Sequence, residues 1–373
     1  MKVCIVTWLG TGNFGTSLQS YALHMKLSEM GYNVSMLHCF TPDDFSFRGR
    51  IYKWLRLNRI LFSQIIKGEY FSKKQKKIRQ FNKKNYCHQI IKTYRQYRCL
   101  LQETQIFITG SDQIWNCYNG FAPFYFLDFA GDVKRVAYAS SMGTGDFPQA
   151  YKSIVKELLA KFSHIGVRES TAVPIIGELL ERTDIVQVAD PTFLLSSTQW
   201  LDFAMTADIE IEMPFHFILC YFVGNNSSYQ QQVEDIKQHL GIEKVILIPS
   251  LENKHMQLPH AQIYNAAGPK EFVRLLSCVS CICTDSFHAI ALSINLQKDF
   301  IALKRFQDAD EKSQNSRIYD VLEHYGLDHR IYENKDLKLY QPISYKLINL
   351  KVIHDREECL SLIHISEPTR RYA

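Results

Sequence analysis

Lys2-Val3-Cys4-Ile5-Val6-Thr7-Trp8-Leu9-Gly10-Thr11-Gly12-Asn13-Phe14-Gly15-Thr16-Ser17 is the stretch that decides the fold. Residues 2–8 form an apolar, largely unalternating run, which reads as a buried strand. Glycines at 10, 12 and 15 follow it, and residues 17–30 then carry a helical pattern ended by Gly31. A strand at 33–38 completes a β-α-β unit, the repeating element of a parallel, doubly wound sheet.

Working outward, the same alternation continues. Strands are predicted at 105–109, 136–140, 164–168 and 185–189, with helices at 151–162 and 170–180. The pattern breaks around Asp190-Pro191-Thr192. A helix at 197–207 and an irregular stretch at 208–213 follow, and a new strand begins at 215–223. Helices at 229–240, 269–277 and 287–295 then alternate with strands at 244–248, 279–284 and 300–303. The chain of 373 residues is long enough for two domains. The fold class is therefore α/β, with two Rossmann-like doubly wound domains facing a cleft. The N-terminal domain is predicted at 1–195, with a basic helical insertion at about 48–98. The C-terminal domain is predicted at 210–345, the boundary lying near 190–212. Residues 361–373 have no periodic logic and read as a translated adapter, so they are set aside as a non-native tail.

Hydrophobic residues make up 46% and charged residues 22%, which excludes disordered, collagenous and coiled-coil classes. No apolar run reaches 18 residues, and the N-terminus lacks the apolar core and cleavage site of a signal peptide. Ten scattered cysteines, several inside apolar runs, then read as reduced thiols of a cytoplasmic protein. Cys278-x-x-Cys281-x-Cys283 has no second Cys/His pair at zinc spacing, so core packing is favoured over metal. The net charge of +5 conceals an asymmetry: residues 48–98 hold 16 Lys/Arg and one acid, Glu69, leaving the rest at −10. A solvated helical face, an anionic membrane surface or lipid-phosphate acceptor, and nucleic acid all compete to explain it. Nucleic acid is not expected, because no recognition motif accompanies the charge.

Ligands of open α/β sheets bind beyond the carboxyl ends of the strands. Four clusters lie there. The glycine loop opens the first helix and offers amides for an anion, or simply makes a tight turn; Gln19 reaches the cleft or faces solvent. Gly110-Ser111-Asp112-Gln113-Ile114-Trp115-Asn116 sets Trp115 beside polar groups, as a sugar site needs. The alternative is an N-cap by Ser111 or Asp112 with Trp115 buried. Arg168 ends a strand and could fork onto a carboxylate or phosphate, or pair with Glu169 at the surface. Thr284-Asp285-Ser286-Phe287-His288 caps a helix through Asp285 or Ser286 and puts His288 in its first turn. Lys304-Arg305 and Asn315-Ser316-Arg317 are weaker candidates for phosphate contact.

Taken in order, Asn13–Gln19, Gly110–Asn116, Ala137-Tyr138-Ala139-Ser140-Ser141-Met142-Gly143, Val167-Arg168-Glu169, Ala189-Asp190-Pro191-Thr192 and Thr284–His288 resemble the polysaccharide pyruvyl transferase family. The resemblance implies a GT-B-like fold and transfer of a pyruvyl group from phosphoenolpyruvate to a saccharide, or lipid-linked saccharide, of a surface or capsular polysaccharide. A ketal forms and phosphate leaves. It implies donor-site roles for His288 and Arg168, and matches Asn13 and Gly15 to the family's glycine loop. A further C-terminal helix is expected of the family, where the tail stands here.

On this reading His288 is the acid/base, since imidazole titrates near neutral pH. Asp112 or Asp285 orients it or receives the acceptor's proton. Asn13, Gly15, Gln19, Ser111, Trp115, Arg168, Ser286 and Arg317 form the binding set, with no metal and no cofactor beyond the donor itself. The protein is expected in the cytoplasm, reaching the inner face of the membrane through 48–98. Two alternatives stand: a nucleotide-sugar glycosyltransferase of GT-B type, and a non-catalytic glycan-binding or assembly protein.

Overall fold

The computed structural model describes residues 1–9, 12–66, 68–306, 314–333 and 341–365. Two compact units divide the chain. One holds residues 1–9, 19–191 and 358–373, the other residues 10–18 and 192–357.

The first unit is built on β1 (Lys2–Val6), β2 (Asn33–Leu37), β3 (His88–Gln89), β4 (Ile106–Thr109), β5 (Lys134–Ser140), β6 (His164–Val167) and β7 (Val186–Gln187). They form a parallel sheet in the order β3-β2-β1-β4-β5-β6-β7. Val3 to Val6 and all of β4 are buried, as central strands covered on both faces must be. Helix α1 (Phe14–Glu29) buries Ala22, Leu23 and Leu27 along one side. The basic stretch contains α2 (Phe47–Ile66), α3 (Lys73–Asn85) and the start of α4 (Tyr94–Glu103), and it also supplies edge strand β3. Helix α3 is anchored by Ile78 and Phe81, whose ring meets Tyr21. Helices α5 (Lys152–Leu159) and α6 (Ala172–Leu180) precede and follow β6.

The second unit carries β8 (Ile218–Tyr221), β9 (Val245–Leu247), β10 (Gln262–Ile263), β11 (Cys281–Thr284) and β12 (Phe300–Ala302), also parallel, in the order β10-β9-β8-β11-β12. Its helices are α7 (Ser197–Met205), α8 (Tyr229–Leu240), α9 (Pro269–Cys278), α10 (Phe287–Asn295) and α11 (Ser316–Tyr325), and α12 (Tyr345–Ile365) belongs to it up to Glu357, its later residues falling in the first unit. Cys220, Cys281 and Cys283 are buried within this sheet and its core, where burial and neighbouring thiols push Cys281 and Cys283 well above the ordinary thiol range.

In both sheets the third, second, first, fourth and fifth strands in chain order lie side by side, so each unit is Rossmann-like and doubly wound. This is the domain content of a GT-B-like protein. The chain leaves the first unit at Pro191, inside the predicted boundary region. Two features differ from expectation. Residues 10–18, read as part of the N-terminal domain, pack in the second unit, because Phe14 stacks on Phe272 and tilts against Tyr221. And a C-terminal helix is present: α12 runs to Ile365, through the start of the stretch set aside as a tail, and residues 366–373 lie outside the described residues. Arg356 of α12 donates to the carbonyls of Phe193 and Leu195 and to Asn295 Oδ1 at 2.7–3.3 Å, tying this part of the helix to the second unit. Among the described residues no helix is long and apolar enough to cross a membrane.

Candidate active site

In each unit polar candidates follow the first and fourth strands, at the switch point where the sheet order reverses.

In the first unit this is the end of β1 and β4. Gly110, at φ 122°, can only be glycine, because a Cβ there would stand 2.0 Å from the Tyr138 carbonyl oxygen. The turn brings Ser111 against Gln19 and Thr7. Gln19 Oε1 accepts the Ser111 N–H at 3.2 Å, Gln19 Nε2 donates to Thr7 Oγ1 at 3.2 Å, and Thr7 Oγ1 donates to the Ser111 carbonyl at 3.0 Å. Ser111 Oγ donates to Asp190 Oδ2 at 3.0 Å, and Arg168 Nη1 donates to the same oxygen at 3.2 Å. Glu169 lies 3.6 Å from Arg168 Nε and also accepts from Ser141 Oγ. Burial works against the Arg168 charge, but Glu169, Asp190 and Asp112 outweigh it and hold the guanidinium above its ordinary range.

This arrangement corrects four expectations. Gln19 faces neither a cleft nor solvent; it is fully buried and bridges two turns. Ser111 is fully buried too, tied to Asp190. Arg168 is not a surface cation: its side chain is 3% exposed and its charge is met by buried carboxylates of its own unit. Trp115 is not a sugar platform. It is 1% exposed, stacks on Phe126 at 5.6 Å and donates its Nε1–H to the Tyr125 carbonyl. Asp112 sits at φ 73°, a conformation Asp tolerates, and its carboxylate accepts the Gln113 N–H at 2.9 Å.

In the second unit the ends of β8 and β11 meet. Asp285 accepts the Val223 and Gly224 N–H groups at 2.7 Å each, the Tyr229 hydroxyl at 2.8 Å and Arg305 Nε at 3.1 Å. A carboxylate offers about four acceptor positions. Oδ2 takes three of these donors and Oδ1 the Val223 N–H, and together they fasten Asp285 to the β8 turn. Ser286 occupies the N-cap position of α10, yet its side chain makes no capping bond; its N–H donates instead to Thr284 Oγ1 at 3.1 Å.

His288 follows in the first turn of α10. Its imidazole lies on Gly15, in the first turn of α1: a Cβ on Gly15 would stand 2.3 Å from His288 Nδ1. Asn13 caps α1, its Oδ1 accepting the Gly15 N–H at 2.8 Å. That amide is therefore committed to the cap, and Gly15 contributes room for the imidazole rather than a donor to phosphate. Gly10 and Thr11 of the loop lie outside the described residues. Arg317, in the first turn of α11, donates Nη2 to Gln314 Oε1 at 3.1 Å. The part of Arg305 as partner of Asp285 was not foreseen; the Lys304-Arg305 pair at the end of β12 was its only sequence signal.

The second unit thus gathers Asn13, Gly15, Asp285, Ser286, His288 and Arg305, and the first gathers Gln19, Ser111, Asp112, Arg168, Glu169 and Asp190.

No curated protein matches the sequence. Among solved structures the chain is similar to UDP-GlcNAc 2-epimerase from Neisseria meningitidis bound to UDP-GlcNAc, at 10% identity and a TM-score of 0.49, covering 96% of this chain and 100% of that one. It is also similar to MurG of Acinetobacter baumannii, at 10% identity and a TM-score of 0.43, covering 98% and 99%. The family model for polysaccharide pyruvyl transferase matches residues 13–305, from the Asn13 cap to the Arg305 partner of Asp285, and the chain belongs to that family of transferases.

Proposed function

We propose that the protein moves the pyruvyl group of phosphoenolpyruvate onto two hydroxyls of a saccharide, free or lipid-linked, in the building of a surface or capsular polysaccharide. The observation that carries the reading is the His288 imidazole, set on Gly15 where the first turns of α1 and α10 meet, in a chain of this family.

Protonation of the methylene carbon of phosphoenolpyruvate makes its neighbour electrophilic. One sugar hydroxyl adds there, phosphate departs, and the second hydroxyl closes the ketal. The balance is self-contained: one hydroxyl proton ends on the new methyl group and the other leaves with phosphate. No redox partner or added cofactor is needed. His288 is the group that passes the proton, since imidazole can both donate and accept near neutral pH. The first turn of α10 directs backbone N–H groups in the sense that favours an anion, and the uncommitted capping hydroxyl of Ser286 lies beside them. Asp285 holds this turn against β8. The reaction is placed in the cytoplasm, on an acceptor free or held at the inner face of a membrane.

Phosphate release from phosphoenolpyruvate, measured against a panel of free and lipid-linked oligosaccharides, tests the reading. Release that depends on an acceptor, with a ketal in the product, supports it. Calorimetric binding of a nucleotide diphosphate sugar but not of phosphoenolpyruvate refutes it in favour of glycosyl transfer, and glycan binding without phosphate release refutes catalysis.

A further inference from the structure

Helix α2 is unlike every other long helix of the first unit. It has 20 residues and buries none of them. A soluble protein seldom leaves so much apolar surface open without a use. Phe47, Ile51, Trp54, Leu55, Phe62 and Ile65 fall on one side of the helix at 3.6 residues per turn. They are exposed, Phe47 at 71%, Trp54 at 63% and Phe62 at 65%. Lys53 stands on the other side and fastens the helix, donating to Asp44 at 2.5 Å and to the Cys39 carbonyl at 3.3 Å. The face that carries Phe47, Trp54 and Phe62 therefore looks away from its own unit, and Leu57 and Ile60 on the Lys53 side are exposed as well.

The charges say what covers it. Arg48, Arg50, Lys53, Arg56 and Arg59 lie on α2, and the helix has no acid. Helix α3 adds Lys73, Lys76, Lys77, Arg79, Lys83 and Lys84. A second copy would bring the same cations against these and be repelled. An anionic bilayer supplies both the opposite charge and an apolar layer at the depth of one helix face. Helices with aromatic and aliphatic residues on one side and Lys/Arg on the other lie in the plane of that interface.

We propose that α2 is an interfacial membrane helix, seating Phe47, Trp54, Leu55 and Phe62 among the acyl chains of an anionic leaflet while its arginines contact lipid phosphates. It rests on the surface and does not span. This sharpens the membrane placement given above but does not depend on the pyruvyl chemistry, and a binding assay without phosphoenolpyruvate keeps the two apart.

The test is flotation of the full chain with phosphatidylcholine vesicles, with or without about 30% phosphatidylglycerol, against two variants. Trp54→Glu/Phe62→Glu removes the apolar anchor, and Arg48→Gln/Arg56→Gln/Arg59→Gln removes the charge. Because α2 buries no residue, both variants keep the parent's melting temperature. The parent should float only with anionic vesicles, and each variant should bind at least ~10-fold more weakly. Quenching of Trp54 fluorescence by brominated acyl chains, absent in Trp54→Phe, reports insertion. The proposal is overturned if the parent does not float, or if Trp54→Glu/Phe62→Glu floats as well as the parent. It is equally overturned if sedimentation shows a dimer that this variant dissociates, for then α2 covers a second copy.

Discussion

Replacing Gly15 by alanine adds one methyl group to the point where α1 meets His288, and the structure says how much must move. The new Cβ would lie 2.3 Å from His288 Nδ1, 2.5 Å from Cγ and 2.8 Å from Cβ. Ordinary van der Waals contact begins near 3.4 Å. The ring nitrogen must therefore retreat by ~1 Å, a displacement that can cost ~100-fold when it misplaces a reacting group. Rotation about χ1 can clear Nδ1 and Cγ but not Cβ, so the backbone of one helix start must shift as well. Stability behaves differently. Overpacking costs ~1–3 kcal/mol, and Gly15, in the first turn, regains less than the ~1 kcal/mol that alanine gains over glycine in a helix interior, so a loss of ~1–2 kcal/mol remains. The expected result is a kcat for pyruvyl transfer lowered ~100-fold, measured below a melting temperature that falls by several degrees. Parallel measurement of phosphate release, ketal formation and thermal unfolding checks it. A Gly15→Ala enzyme with near-normal kcat would refute the assignment of His288 to the reaction, because a displaced imidazole would then have proved dispensable.

Further outcomes follow from the same geometry. His288→Gln keeps a similar volume and a polar end but cannot shuttle a proton, so kcat should fall at least ~100-fold with little change in melting temperature; normal turnover would remove His288 from the mechanism. Arg168→Met leaves Asp190 and Glu169 buried without their counter-ion, a loss of about 3–5 kcal/mol visible in urea unfolding. An unchanged midpoint with a raised KM for phosphoenolpyruvate would instead restore Arg168 as a donor clamp. Lys74 of α3 is buried, and burial lowers its pKa from 10.5 to about 7. Between those values the unfolded chain holds a proton that the native side chain has released, so this residue makes stability rise with pH from about 7 to 10.5. Lys74→Met should flatten that slope and raise the melting temperature most at the acid end; an unaltered slope would mean that Lys74 stays charged.

Much of this architecture was legible because strands and helices differ in period. Helices 229–240 and 287–295 fall as read, since the first is apolar on a regular face and stops at Gly241, and the second is apolar nearly all round and starts after the Thr284-Asp285-Ser286 turn. Strands β3 and β10 were not foreseen, being two residues each with no apolar run. Helix α12 was missed for another reason: its apolar residues do not keep to one face, and its end merges with the stretch set aside as a tail. Among the site residues, local sequence located the turns but not the direction of the side chains. Trp115 carries a polar group beyond the end of β4 and Gln19 one within α1, and nothing in their neighbours announces that Tyr125 and Ser111 will satisfy those groups inside the unit. Likewise Gly15 reads as a loop glycine. Only the fold shows that it makes space for a residue 273 positions away.

Asp285 and His288 sit three residues apart and were both read as catalytic, and their surroundings differ. Thr284 Oγ1 donates to the Tyr221 carbonyl at 2.5 Å, and Asp285 grips the next two amides of the β8 end together with Tyr229. These bonds fix where β11 stops and α10 begins, and so where the imidazole points. Asp285 is then a positioning residue. In Asp285→Asn one carboxylate oxygen becomes an NH₂ group facing a donor, which strands a buried N–H and costs ~1–3 kcal/mol. It also removes the counter-charge of Arg305. The expected outcome is a lower melting temperature and a reduced kcat whose dependence on pH keeps the parent's shape, because His288 is still present. A catalytic base behaves otherwise: its loss abolishes one limb of the pH–rate profile while the fold is spared. If Asp285→Asn unfolds at the parent's temperature and erases a limb, the carboxylate is a base, and its role as a scaffold fails.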